Sequence, residues 1–338
     1  MHNKVASNVI EKKQLQDSYG RKISYVRLSV TDKCNMRCFY CLPEGFKDFE
    51  TPENWLTFDE IERVISAFTR LGVHRVRLTG GEPLVRKNLP DLITRLAALE
   101  GLDDLSLSTN ASLLSTYAND IKKAGVTRIN VSLDTLNAKQ FAKITGNGKL
   151  DQVLAGLQAA KKVGLAPLKI NTVAMKGVND NEFTELVKYC IDMGFTLRFI
   201  ETMPIGSTGR NASNNYMDLQ QVIDQLSKEF ELIPSIFSGG GPARYYKVND
   251  TDLHIGFITP ISQHFCETCN RVRVSVNGTL YLCLGDEHKI ELRPLLRQGI
   301  SDDDLENVIL EAIDLKPREH EFNSKPESVI RFMSMTGG

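Results

Sequence analysis

The stretch ISYVRLSVTDKCNMRCFYC, residues 23–41, runs from an apolar, β-branched segment straight into three closely spaced cysteines. Ile23 to Val30 has the length and composition of a strand, and a helix-period segment follows at TFDEIERVISAFTRLG. In that segment Thr57 and Glu60 form a capping-box signature, ahead of Ile61, Val64, Ile65, Phe68 and Leu71 at helical spacing. Further strand-like runs are HRVRLT (74–79), DLSLS (104–108), RINVSL (128–133), LKINTVAM (168–175) and TLRFIE (196–201). Between or after them PDLITRLAALEG, LLSTYANDIKKAG, QVLAGLQAAKKVG and NEFTELVKYCIDMG carry the helical period. Six strand–helix units in succession predict parallel strands in an α/β array. Six is short of a closed eight-stranded barrel, so the expected fold is an incomplete parallel (β/α)6-type barrel, open at one side to admit a bulky substrate.

The polar features fall at one end of this frame. TDKCNMRC follows the first strand, TGGEP the second, STN the third, LDT the fourth, and Met203-Pro204 the sixth. Sites in parallel α/β folds form outside the carboxyl ends of strands. After a helical stretch around 218–230 the pattern changes at SGGGPAR (238–244). Short strand-like segments YYKV, LHIGFI, RVRVSV and TLYLCL come next, then helical SDDDLENVILEAI. We place one domain at 1–235, the partial barrel, and a second, α+β domain at 236–338.

Composition narrows the function classes. A formal net charge of −1 over 338 residues argues against broad coating of nucleic acid or an acidic membrane, although a local basic pocket is open to 41 Lys and Arg. No apolar run approaches the roughly 20 residues of a membrane span, and the first twenty residues lack a signal-peptide core. The expected location is the cytoplasm, where structural disulfides are rare. The seven cysteines then read first as metal ligands or reactive thiols. Cys190, in the helix-period segment ELVKYCIDMG, reads as a small buried hydrophobe.

Cys34, Cys38 and Cys41 are too close to share one helix face, so the segment must wrap around its ligand as a loop. Structural zinc takes four protein ligands, and a cubane iron–sulfur cluster takes one cysteine per iron. Three cysteines on a cubane leave one iron open to a small molecule; three on zinc need a distant fourth ligand. The C-x3-C-x2-C spacing, with Tyr40 before the last cysteine, resembles the signature of radical S-adenosylmethionine (SAM) enzymes. Gly80-Gly81-Glu82-Pro83 resembles that family's second motif, which holds the methionine amino group. The resemblance implies a 4Fe-4S cluster on Cys34, Cys38 and Cys41, with SAM chelating the open iron and cleaved to a 5′-deoxyadenosyl radical.

Cys266-x2-Cys269-x13-Cys283 is a second incomplete set. A zinc site completed by His288 or His264 fits the spacing as well as a second cluster does. Alternation in NRVRVSV puts Arg271, Arg273 and Ser275 on one face and Val272, Val274 and Val276 on the other. Two guanidiniums beside a metal site could hold a polyphosphate in bidentate fashion. The whole combination, with the final Gly337-Gly338, is similar to the GTP 3′,8-cyclase family over nearly the full chain.

That resemblance implies a second 4Fe-4S cluster on Cys266, Cys269 and Cys283. It implies GTP contacts at Arg27, Arg77, Ser108, Lys169, Arg271, Val272 and Arg273, and SAM contacts at Tyr40, Gly81, Ser132 and Met203. Arg271, Arg273, Gly337 and Gly338 would be catalytic. The implied reaction takes hydrogen from C3′ of GTP and joins that carbon to C8, giving 3′,8-cyclo-7,8-dihydro-GTP, early in molybdenum cofactor biosynthesis. The implied partners are a reductase or flavodoxin-type electron donor, cyclic pyranopterin monophosphate synthase downstream, and a second copy in a homodimer. This chain departs from the family at Ser108, commonly Thr, and at Asn110-Ala111, commonly Asn-Gly. The competing readings are a radical SAM enzyme acting on a peptide or another small molecule, and a two-cluster electron carrier.

Overall fold

The computed structural model describes residues 14–237 and 241–337. Six strands alternate with helices through the first two thirds of the chain: β1 (Tyr25–Ser29), α1 (Phe58–Arg70), β2 (Arg75–Thr79), α2 (Leu89–Ala97), β3 (Asp104–Thr109) and α3 (Leu114–Ala124). The series continues with β4 (Arg128–Ser132), α4 (Ala138–Thr145), α5 (Leu150–Lys162), β5 (Leu168–Val173), α6 (Phe183–Met193) and β6 (Thr196–Ile200). Then come α7 (Gly206–Ala212), α8 (Leu219–Leu226), β7 (Leu232–Ser235), β8 (Arg244–Val248), β9 (His254–Ile258) and β10 (Arg271–Val274). The last elements are β11 (Thr279–Tyr281), β12 (Lys289–Glu291), α9 (Leu292–Arg297), α10 (Asp302–Asp314) and α11 (Met333–Thr336).

Among the described residues, twelve strands join one sheet in the order β12-β11-β10-β1-β2-β3-β4-β5-β6-β9-β8-β7. β1 to β6 are parallel, as the alternation predicts, and the sheet is not closed. The C-terminal part flanks this array on both sides. β10 pairs parallel with β1, and β9 pairs parallel with β6. Antiparallel β11 and β12 extend one side, β8 and β7 the other.

Local chemistry explains the framing helices. The Thr57 hydroxyl accepts from the Glu60 amide at 3.1 Å, and the Glu60 carboxylate accepts from the Thr57 amide at 2.8 Å, so the capping box starts α1. Ile61, Val64, Ile65 and Phe68 then sit at 0–1% exposure against the sheet. Each such side chain contributes roughly 1.5–3 kcal/mol of apolar burial. α6 buries Cys190 completely, in keeping with its reading as a core residue, and ends at Gly194 with φ 70°, a conformation glycine adopts without strain.

Candidate active site

The first cysteine loop leaves β1 and is tied to the ends of β2, β3 and β4. Gly81 donates its amide to the Thr31 carbonyl at 2.8 Å, and the Glu82 amide donates to Lys33 O at 2.9 Å. A Cβ on Gly81 would stand 2.3 Å from Lys33 O, so only glycine permits this approach. The fully buried Glu82 carboxylate accepts from Thr109 Oγ1 (2.7 Å) and from the Asn110 (2.6 Å) and Leu84 (3.1 Å) amides. Burial pushes its carboxyl up to about 7 despite these donors. The Asn110 amide group in turn reaches Cys34 Sγ at 3.8 Å, and the Met36 N–H reaches it at 3.4 Å. On the other side Tyr40 donates its hydroxyl to Asp134 Oδ2 at 2.7 Å, just past β4.

Three thiols on one loop, with N–H groups aimed at a sulfur, form a donor set that suits an iron–sulfur cluster. Among the described residues, no three Cys, His, Asp or Glu side chains converge on a single-ion position; a cubane takes its thiolates one per iron, over a wider span. Burial pushes Cys34 up to about 11 and Cys41 up to about 12, and burial together with Cys41 raises Cys38 as well. Loading such thiols with metal must release protons.

The carboxyl ends of other strands carry the remaining residues expected at SAM. Gly81 lies beyond β2, exposed Ser132 ends β4, and Met203 lies beyond β6. Met203 also lines an interior cavity, unlike Tyr40, Gly81 and Ser132.

That cavity is lined by cations. Arg27, Arg77, Lys169, Arg271 and Arg273 face it, and so do Arg75, Arg128 and Arg198. Register places them side by side: Arg27 pairs with Arg77 and Arg273, Arg77 with Ser106, and Ser106 with Arg128. Asp104 serves Arg75 at 3.9 Å and Arg128 more closely. Among the described residues no carboxylate is within ion-pair distance of Arg27, Arg77, Lys169, Arg198 or Arg273, and the Nε atoms of Arg27, Arg128 and Arg198 are buried without a partner. Burial, with the neighbouring guanidiniums, brings Arg77 down to about 9 and Lys169 down to about 7. Burial alone would raise the Tyr25 phenol, but Arg77, Arg27 and Arg271 together draw it below its ordinary value. Repelling cations held in a low-dielectric cavity fit a multiply charged anion. Ser108 stands one rung away, in register with Asn130, which itself pairs with Lys169. Val272 is buried at 1% exposure while also touching the cavity wall.

Cys266, Cys269 and Cys283 line the same cavity. His288 is held by Asp286 at 2.5 Å, and His264 lies 3.9 Å from Glu319. The C-terminal segment spans both cysteine loops. Arg331 donates to the carbonyls of Cys283 (3.0 Å) and Leu284 (2.6 Å), and Phe332 meets Phe46 of the first loop edge-on at 5.2 Å. Arg273 donates to the carbonyls of Thr336, at 3.1 Å, and of Gly337. A Cβ on Gly337 would fall 2.2 Å from Thr79 Oγ1, at the end of β2. Gly338 lies outside the described residues.

Sequence reading missed Arg128, Arg198, Tyr25 and Tyr245 as cavity residues, and Asp134 as the partner of Tyr40. The available signal was a single cation in each segment, Arg128 in RINVSL and Arg198 in TLRFIE, where parallel strands usually carry apolar residues on both faces.

Comparisons with known proteins agree with this geometry. Residues 28–190 match the family model described as the radical SAM superfamily, and residues 195–322 match Molybdenum Cofactor Synthesis C. In fold the chain is similar to Streptococcus suis SuiB bound to precursor peptide SuiA, with a TM-score of 0.59 at 15% identity, covering 90% of this chain and 76% of that one. It is 46% identical over 329 residues to the GTP 3′,8-cyclase of Hydrogenovibrio crunogenus, spanning 96% of this chain and 99% of that protein. The GTP 3′,8-cyclase of Marinobacter nauticus is 44% identical over 328 residues, with the same two coverages. GTP 3′,8-cyclase 1 of Pseudomonas aeruginosa is 46% identical over 325 residues, spanning 95% of this chain and 98% of that protein. With cysteine loop, cation-lined cavity and near-complete alignment in agreement, the chain belongs to the GTP 3′,8-cyclase family.

Proposed function

We propose that this chain converts GTP to 3′,8-cyclo-7,8-dihydro-GTP, removing hydrogen from C3′ and joining C3′ to C8, as an early step of molybdenum cofactor biosynthesis. The observation that carries the reading is the row of buried cations sharing one cavity with the second cysteine set. A triphosphate needs such a row; a peptide does not. Cys34, Cys38 and Cys41 would hold one 4Fe-4S cluster, and Cys266, Cys269 and Cys283 a second. When bound, the first cluster and SAM supply the electron and the carbon radical.

The chain's own residues bind, orient and enclose. Tyr40, Gly81, Ser132 and Met203 would line SAM at the strand ends. Arg27, Arg77, Lys169, Arg271 and Arg273 would grip the triphosphate, with Ser108 and Val272 completing the GTP contacts. That grip would fix the orientation of the nucleotide in the cavity. Arg271 and Arg273 with Gly337 and Gly338 would close the site, and the Arg273 bonds to the Thr336 and Gly337 carbonyls support that role. Excluding water protects a carbon radical from stray reaction. Residues 1–235 would thus serve SAM, and 236–338 the second cluster.

An external reductase or flavodoxin-type donor would supply electrons in the cytoplasm, cyclic pyranopterin monophosphate synthase would take the product, and two copies would pair as a homodimer. No described helix is long and apolar enough to cross a membrane. The test is anaerobic: the reconstituted protein receives SAM and a reductant, and 5′-deoxyadenosine is followed with and without GTP deuterated at C3′. GTP-stimulated release with deuterium in the deoxyadenosine is expected. Cleavage indifferent to GTP would rule out the cyclase.

A further inference from the structure

Lys316 follows α10 in the segment LKPR, residues 315–318. Lys316 is 2% exposed and lines the cavity. It donates to the Arg271 carbonyl at 3.1 Å and to the Leu282 carbonyl. Arg271 comes two residues after Cys269, and Leu282 directly precedes Cys283. The third cysteine is tied to the same segment through Arg21, which donates to the carbonyls of Cys266 (2.9 Å), Arg318 (2.7 Å) and Pro317 (2.7 Å). Residues 316–318 therefore form the hub on which all three cysteine-bearing stretches are hung.

The two buried cations differ in one respect. Arg21 is neutralised by Asp17 at 2.5 Å. Lys316 has no carboxylate within ion-pair distance among the described residues, only carbonyl acceptors. A buried ammonium without a counter-charge is costly to hold. Three thiolates on a cubane make an anion, more negative once reduced, and such an anion would offset that cost. We propose that Lys316 is a positioning residue for the second cysteine set, whose buried charge balances an anionic iron–sulfur cluster there and raises that cluster's reduction potential.

The two cysteine sets support this by contrast. Near the first set, Asp134 accepts from Tyr40 and Glu82 from the Asn110 amide, while Arg37 donates to the Cys34 carbonyl. Near the second, the Lys316 ammonium sits on the carbonyls of Arg271 and Leu282, each within two residues of a cysteine, and Arg271 lines the same cavity. Negative surroundings disfavour adding an electron and positive ones favour it. The Lys316 charge thus makes the second cluster easier to reduce than it would be without it.

The inference rests on the two-cluster reading above, and the experiment separates the two. The full-length chain with Cys34, Cys38 and Cys41 all replaced by Ala is reconstituted with iron and sulfide, and its iron content is measured. An iron-free protein would overturn the two-cluster reading and this inference with it. If iron is bound, its potential is measured by redox titration followed by electron paramagnetic resonance, in that background and with Lys316→Gln or Lys316→Arg added. Gln keeps a donor for the carbonyls without the charge. The expected result is a more negative potential for Lys316→Gln and a near-parental one for Lys316→Arg. Loss of the cluster in Lys316→Gln with retention in Lys316→Arg also supports the counter-charge. Equal potentials in all three proteins, or loss of iron in both variants, would overturn it.

Discussion

Lys169 illustrates how a single residue reports on the site. Burial and the guanidiniums of Arg198, Arg128 and Arg77 bring it down to about 7 from an ordinary 10.5, so at pH 8 much of the empty protein carries it neutral. A bound polyphosphate favours the charged form. Nucleotide binding at pH 8 should therefore take up a proton, and the calorimetric enthalpy should vary with the buffer's ionisation enthalpy. The variation should shrink below pH 7, where Lys169 is already protonated, and vanish in Lys169→Met. Proton linkage unchanged in that variant would count against the assignment. The six clustered cysteines were legible from spacing alone, and the alternation of Arg271 and Arg273 from the period of a strand. Arg128 and Arg198 were not. A cation in a strand looks like a solvated edge until register sets Arg128 beside Ser106 and Arg198 beside Asn171.

Among the elements, the strands were read closely because each is a short apolar run with a break on either side. HRVRLT and RINVSL differ by one residue from β2 and β4. α1 was legible through its cap as well as its period, and the cap gives a direct expectation. Thr57→Ala should lower unfolding stability by about 1 kcal/mol, read from urea denaturation, while leaving nucleotide affinity unchanged. A change near zero would mean that the contact between Glu60 and Arg297, at 3.0 Å, holds the helix start without the hydroxyl. α4, β7 and β12 escaped notice for physical reasons. α4 is eight residues long and begins at an Asn137 side-chain cap, with too few turns to show a period. β7 carries Pro234 and lies at the sheet edge, where a missing N–H is tolerated. β12 has only three residues.

For the whole molecule, the sequence revealed a six-unit array and a change of pattern after it, with the boundary placed at 235/236. It gave no sign of which strands the later segments would join, because partners that distant leave no local trace. The sheet runs through that boundary: β9 covers β6 and β10 covers β1. A fragment ending at residue 237 would keep β1 to β6 with the outer edges of β1 and β6 bare. Such edges recruit other chains. The fragment should self-associate in sedimentation velocity; a monomer with a cooperative melt would contradict this.

The β1–β10 pairing also sets a timetable for synthesis. Ser24 and Asn270, which bond at the head of that pair, are 246 residues apart in the chain. At ribosomal rates of roughly 5–20 residues per second, β1 waits on the order of ten seconds or more for its neighbour. Contacts at this range also slow folding, since loop closure must precede any gain from pairing. During that wait the growing chain displays the unpaired parallel edge of β1, which makes the nascent protein, more than the finished one, the form most in need of a chaperone.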